Sequence, residues 1–414
     1  MSADPVCHYD FDRIINRAST ASLKYDGREA MFGAADVIPL WVADMDFAAP
    51  PAVTQALARR ATHPVYGYTV YPDSLYEALI TWLRRRHDWE VHRDWIMMCP
   101  GVVPSLHAAV MAFAGQGAPV IVQPPVYFPF FSSVTSTGRE LISNPLRLGD
   151  SGYTVDFDHL ERCAEKARLL LLCSPHNPVG RVWSRSELER ILQIAKKYDL
   201  VIFSDEIHAD LVYPENKHHV LSRLAQTDAG NASVITAVAP SKTFNIPGLN
   251  LSALIVPDPE CRKKLTRTFE AMHVGASNPF SIVAFEAAYM DGEVWLDELL
   301  VYLEKTRDQV RDYLTAYLPE IRLIEPEGTY LLWLDCRLLK SELGVNDAQL
   351  RNFFVHKAGV GMSPGMLFGE EGSGFMRMNI GAPRQVIGAA LESIREARQG
   401  VAFSRSSGSF RPDS

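Results

Sequence analysis

Lys242 lies in A-P-S-K-T-F-N-I-P-G, directly after the apolar run S-V-I-T-A-V and shortly before another, A-L-I-V. A lysine held between buried runs can lose hydration until its pKa falls, and a neutral amine condenses with an aldehyde to an imine. Asp205 follows L-V-I-F in S-D-E-I-H. A carboxylate at the mouth of a buried strand can pair with a cationic ring nitrogen, keep it protonated and make the ring an electron sink. Asn177, in S-P-H-N-P-V-G-R after L-L-L-L-C, offers an amide donor to a phenolate oxygen. The loop P-G-V-V after I-M-M-C turns on a glycine into a helix whose first N–H groups can hold a phosphate. Each feature also has a plainer use: a solvated lysine, a helix cap at Ser204 or Asp205, a turn asparagine, ordinary strand-to-helix punctuation.

These loops need strands that end side by side, because α/β proteins place ligands beyond the carboxyl ends of their strands. From about Asp94 to Val256, short apolar runs alternate with amphipathic helical stretches, which predicts a mostly parallel sheet flanked by helices. The runs are 96–99, 119–122, 169–173, 200–203, 233–238 and 253–256, and Ser184 to Tyr198 carries Leu188, Ile191, Leu192 and Ala195 at helical spacing. After Pro279 the pattern changes to a long helical region to about Tyr317, a strand-like T-Y-L-L-W-L-D and a helix from Asp347 to Ala358. This predicts an α/β fold with a smaller α+β domain formed by both termini. The expected boundaries are 1–50 for an N-terminal segment joining the small domain, 51–283 for the large domain, 284–400 for the small one and 401–414 for a polar, disordered tail.

The 414 residues exceed one ordinary core, and 47% hydrophobic with 22% charged residues describes a compact protein. A formal net charge of −8 with no basic, aromatic-interleaved run argues against nucleic acid as a partner. The longest apolar runs are too short to cross a bilayer and the N-terminus lacks a signal pattern, so no membrane role and a cytoplasmic location are expected. Six scattered cysteines without C-x-x-C spacing suggest neither a metal site nor a disulfide framework.

The ordered set P-G-V-V, P-P-V-Y, P-H-N-P-V-G-R, S-D-E-I-H-A-D, S-K-T-F-N-I-P-G-L and R-M-N-I-G resembles the fold-type I, class I/II aminotransferases, and within them the MalY/PatB-type cystathionine β-lyases. The resemblance runs from Phe11 to about Arg398. It implies pyridoxal 5'-phosphate as cofactor, Lys242 as the Schiff-base lysine and base for the Cα proton, Asp205 on the pyridine nitrogen and Asn177 on the ring oxygen. It makes Tyr127 the aromatic stacked on the ring, and the N–H groups of Val102 and Val103 with the Ser241 hydroxyl the phosphate site. Tyr68 would reach the phosphate of a neighbouring subunit, which implies a homodimer with shared active sites. Arg377 would clamp the substrate α-carboxylate, and Ala43, in W-V-A-D-M-D-F, would lie with Asn177 on the substrate side.

The lyase branch is favoured at two positions. His208 stands three residues after Asp205, where typical aminotransferases carry a tyrosine, and Asn250 stands eight after Lys242, where many carry an arginine for the phosphate. The resemblance therefore implies cleavage of L-cystathionine or another L-cysteine S-conjugate to a thiol, pyruvate and ammonia, within sulfur amino acid metabolism. Departures are R-A-S-T-A-S-L-K-Y-D, with Ser19 and Tyr25 substituted in the family pattern, and G-A-P-R in place of C-P-R. Two other functions share these residues: an aminotransferase, which needs a 2-oxo acid and yields no thiol, and a regulatory binding protein that keeps the cofactor as a conformational ligand.

Overall fold

The computed structural model describes residues 9–150, 152–227 and 232–400; the tail expected to be disordered, 401–414, lies outside them, as does Cys7. The chain divides into a larger unit, Ala49–Leu296 with Glu327–Thr329, and a smaller one drawn from Met1–Ala48, Asp297–Pro326 and Tyr330–Ser414.

In the larger unit a seven-stranded sheet has the order Ile96–Cys99, Ser252–Ile255, Val234–Val238, Val201–Asp205, Leu169–Cys173, Pro119–Val122, Glu140–Ser143. Only Ser252–Ile255 runs against its neighbours. The inner strands are apolar at successive positions because helices cover both faces; every residue of Leu169–Cys173 and of Val234–Val238 is buried. Helix Arg185–Tyr198 begins at Ser184, whose side chain accepts from Glu187 N–H while Glu187 reaches back, and its buried stripe is Leu188, Ile191, Leu192, Ile194 and Ala195. Burying each of those larger side chains contributes about 1.5–3 kcal/mol.

The long helical region expected after Pro279 forms as two helices, Pro279–Asp291 and Glu293–Tyr317, parted at Gly292. A Cβ at Gly292 would stand 2.4 Å from a Phe244 ring carbon, so the chain passes the Lys242 loop too closely for any side chain. The boundary expected after 283 falls inside the first of these helices. That helix packs on Pro51–Ala61 and Asp73–His87, which keeps it with the larger unit and moves the division to Leu296.

The smaller unit holds a five-stranded sheet in the order Ile38–Leu40, Val360–Pro364, Phe375–Asn379, Leu331–Asp335, Arg322–Ile324. Its N-terminal strand pairs in parallel with Val360–Pro364, and the remaining pairs are antiparallel. Trp333 stacks on Phe375 with ring centroids 5.1 Å apart. The helix expected from Asp347 to Ala358 is α-helical only to Asn352 and closes with a π-turn, Phe353–Lys357.

Candidate active site

All strands of the larger sheet except Ser252–Ile255 run in one direction. Ile96–Cys99 is antiparallel to Ser252–Ile255, which is antiparallel to Val234–Val238, so the two strands flanking the reversed one point the same way. Gly101, Tyr127, Asn177, Asp205 and Lys242 therefore emerge at a single carboxyl edge, in the loops that carry candidate chemistry. Asp205 ends the central strand, in register with Cys173 on one side and Ala237 on the other.

Asp205 is 6% exposed and its Oδ1 accepts from Ile207 N–H at 3.2 Å. Burial pushes its carboxyl up from 3.8 to about 7, against the opposing pull of that N–H and of the Lys242 charge. Lys242 follows the strand Val234–Val238, which neighbours the strand that Asp205 ends, and its charge acts on the carboxylate. Lys242 is half-buried in the short helix Pro240–Thr243. The acid is thus held where its ionised form lacks enough positive charge, which suits it to a cationic partner.

The helix Val102–Phe113 starts at Gly101, whose φ of +147° suits glycine and whose missing side chain leaves the helix end uncapped. Pro104 has no N–H, so the first turn presents just the N–H groups of Val102 and Val103 to an anion. Tyr127 N–H donates to Asn177 O at 3.1 Å and the Asn177 N–H lies 3.4 Å from Cys173 Sγ, tying both loops to one strand end. Asn177 is 4% exposed and His208 is 3% exposed in the turn after Asp205. Ser241 precedes Lys242 and is half-buried. Tyr68 instead stands fully in solvent, flanked by exposed Val65, Tyr66 and Val70.

Sequence reasoning passed over the layer behind these loops. Asp210 is buried and accepts from Trp82 Nε1 at 3.1 Å, from Thr243 Oγ1 at 2.8 Å and pairs with His87 Nε2 at 2.8 Å. Burial works to raise its pKa, but the hydrogen bonds from His87 and Thr243 and the His87 charge hold it below the ordinary value. Thr243 adjoins Lys242, so this carboxylate anchors the turn that carries the amine. Beside it Glu206 accepts from Ser204 Oγ at 2.8 Å and pairs with His218 Nε2 at 2.8 Å. The only sequence signal was the D-E-I-H-A-D run itself, which contains both carboxylates without showing their partners.

In the smaller unit Arg377 sits in strand Phe375–Asn379, 5% exposed, with its guanidinium over the Phe368 ring and Nη2 donating to Trp41 O at 2.8 Å. Ala43 belongs to the same irregular segment as Trp41, its carbonyl accepting from Tyr330 Oη at 2.9 Å.

A family model for aminotransferases of class I and II matches residues 35–394. The chain belongs to this family. It is 40% identical to the cystathionine β-lyase PatB of Bacillus subtilis over 94% of this chain and 99% of that one. Among solved structures, a PLP-bound protein from Clostridium difficile 630 carrying an aminotransferase name superposes with a TM-score of 0.90 at 38% identity, covering 94% of this chain and 99% of the other. The PLP-bound C–S lyase of Staphylococcus hominis superposes with a TM-score of 0.88 at 32% identity, covering 95% and 98%. The expected fold-type I architecture and the MalY/PatB resemblance are borne out over nearly the whole chain.

Proposed function

We propose that this protein is a pyridoxal-phosphate-dependent carbon–sulfur β-lyase that cleaves L-cystathionine or a related L-cysteine S-conjugate. The observation that carries this is the buried Asp205, at the carboxyl edge beside the Lys242 loop, in a near-full-length relative of a cystathionine β-lyase. The residues present fit the cofactor. A buried carboxyl at about 7 needs a cation such as a protonated pyridine nitrogen, and the uncapped Val102–Val103 turn suits a phosphate.

When bound, pyridoxal phosphate supplies a conjugated ring that draws electron density from the substrate Cα. Asp205 would hold the proton on the ring nitrogen, Asn177 and His208 would serve the ring oxygen, and Tyr127 would be the aromatic against the ring. Val102, Val103 and Ser241 hold the phosphate. Arg377 receives the substrate α-carboxylate bidentately, with Ala43 and Asn177 also on the substrate. With the cofactor in place, Lys242 Nζ would be the base that takes the Cα proton, and departure of the Cβ–S electron pair with sulfur would release the thiolate. Water completes the conversion of the three-carbon remainder to pyruvate and ammonia.

A homodimer with shared sites is part of the proposal. Its support is the run Val65, Tyr66, Tyr68 and Val70, exposed by 57% or more in the single chain, because large apolar side chains clustered in solvent mark contact surfaces. A cytoplasmic location is supported by Cys99, Cys163, Cys173, Cys261 and Cys336, all buried and unbridged. The test is purified protein with L-cystathionine and no added oxo acid, following pyruvate and free thiol together. Both should rise in equal amounts; a requirement for oxo acid without thiol release would assign transamination instead.

A further inference from the structure

The segment Trp41–Met45 has no regular secondary structure, yet each of its five successive carbonyls is held by a side chain. Trp41 O accepts from Arg377 Nη2 at 2.8 Å and Ser363 Oγ at 3.1 Å; Val42 O and Asp44 O accept from Asn379 Nδ2 at 2.5 and 2.6 Å. Ala43 O accepts from Tyr330, Asp44 O also from Lys24 Nζ at 3.3 Å, and Met45 O from Arg17 Nη1 at 3.3 Å. The following N–H, of Asp46, donates to Gly381 O at 2.7 Å, and a Cβ at Gly381 would stand 2.5 Å from Met45 Cγ.

Charges close the segment from beneath. Lys24 has no exposed side-chain surface and its Nζ lies 2.9 Å from Asp46 Oδ2 and 3.8 Å from Asp44 Oδ1. Arg17 bridges the same two carboxylates, at 2.7 Å to Asp44 and 2.6 Å to Asp46. Two cations against two carboxylates leave the cluster neutral, which is what makes such burial tolerable. Arg17 and Lys24 come from R-A-S-T-A-S-L-K-Y-D, and both aspartates from W-V-A-D-M-D-F. The cofactor loops use neither motif; the fold joins them.

We propose that Arg17, Lys24, Asp44 and Asp46 are positioning residues for substrate binding, fixing the Trp41–Met45 main chain and with it Ala43 and the Arg377 guanidinium for an α-carboxylate. The inference rests on the proposal that Arg377 and Ala43 receive that carboxylate. An irregular segment whose carbonyls are all held by side chains is ordered largely by them, so loss of the cluster should loosen the carboxylate contact while leaving the chemistry at the amine in place.

The experiment uses the cofactor-loaded enzyme and two probes that differ by the α-carboxylate, L-serine and ethanolamine, with dissociation constants read from the change in cofactor absorption. Lys24→Met should erode the preference for L-serine about tenfold or more, roughly 1.4 kcal/mol, with KM for L-cystathionine rising more than kcat falls. Arg17→Lys, which keeps the charge of a partly exposed residue and loses its fork, should lie between wild type and Lys24→Met, and carries the measurement if Lys24→Met does not fold. Hydrogen exchange of the 41–46 amides should accelerate in both. An unchanged L-serine preference in a folded variant, or equal weakening of both probes, overturns the positioning role. Arg377→Gln in the same assay separates the two levels: if it leaves the preference intact, the carboxylate assignment itself is wrong.

Discussion

Asp205→Asn in the cofactor-free protein should stabilise it at alkaline pH, and the gain can be worked from the burial of the carboxyl. The group's pKa in the fold is about 7, above the unfolded value of 3.8. An acid raised in this way favours the fold fully below pH 4, and that contribution is lost as pH rises through 7. A tenfold difference in proton affinity between the folded and unfolded chain is worth roughly 1.4 kcal/mol. The ionisation of Asp205 therefore destabilises the empty protein by about 4 kcal/mol at pH 8 and by about 2 kcal/mol at pH 5. Asparagine carries no such titration, so the variant minus wild-type stability should rise by about 2 kcal/mol between those pH values. Thermal or urea unfolding of both proteins at pH 5 and 8, without cofactor, measures it. Adding pyridoxal phosphate should reverse the order, because a pyridinium pairs with Asp205 and finds no anion in the variant. If the difference between the cofactor-free proteins is the same at both pH values, the carboxylate is not held in a charge-poor site and the argument for its partner fails.

Three further outcomes are expected. Lys242→Ala should abolish the visible absorption of covalently held cofactor and lower kcat by at least about a thousandfold, seen by spectrophotometry and turnover of L-cystathionine. Thr243→Val, which leaves Asp210 without one hydrogen bond, should cost about 1–3 kcal/mol in unfolding experiments and slow turnover with little change in KM. Tyr68→Ala should weaken cofactor retention in a dimer that still forms by light scattering; normal retention would remove Tyr68 from a neighbour's phosphate site.

The six apolar runs seen in the sequence all became strands of the larger sheet, because a strand covered on both faces must be apolar at every position and that pattern is local. The seventh, Glu140–Ser143, escaped notice because it is an edge strand with one exposed and three half-buried residues and so carries no continuous apolar run. The joint at Gly292 was hidden for a similar reason. Helical periodicity continues on both sides of it, and the steric demand comes from Phe244, 48 residues away by number.

Local sequence determined the strands, their terminating turns, the Ser184 cap and the identity of the amine and the acid, since each depends on residues within a few positions of one another. Tertiary structure alone decided how charged these groups are and what holds them. Asp205 is driven toward neutrality because the sheet buries it, whereas Asp210, five residues later and equally enclosed, is driven the other way because folding delivers His87 and Thr243 to it. Two aspartates of one short run thus acquire opposite character from partners 33 to 123 positions distant. Covalent neighbours set what a side chain is; desolvation and long-range partners, which no linear pattern encodes, set its charge.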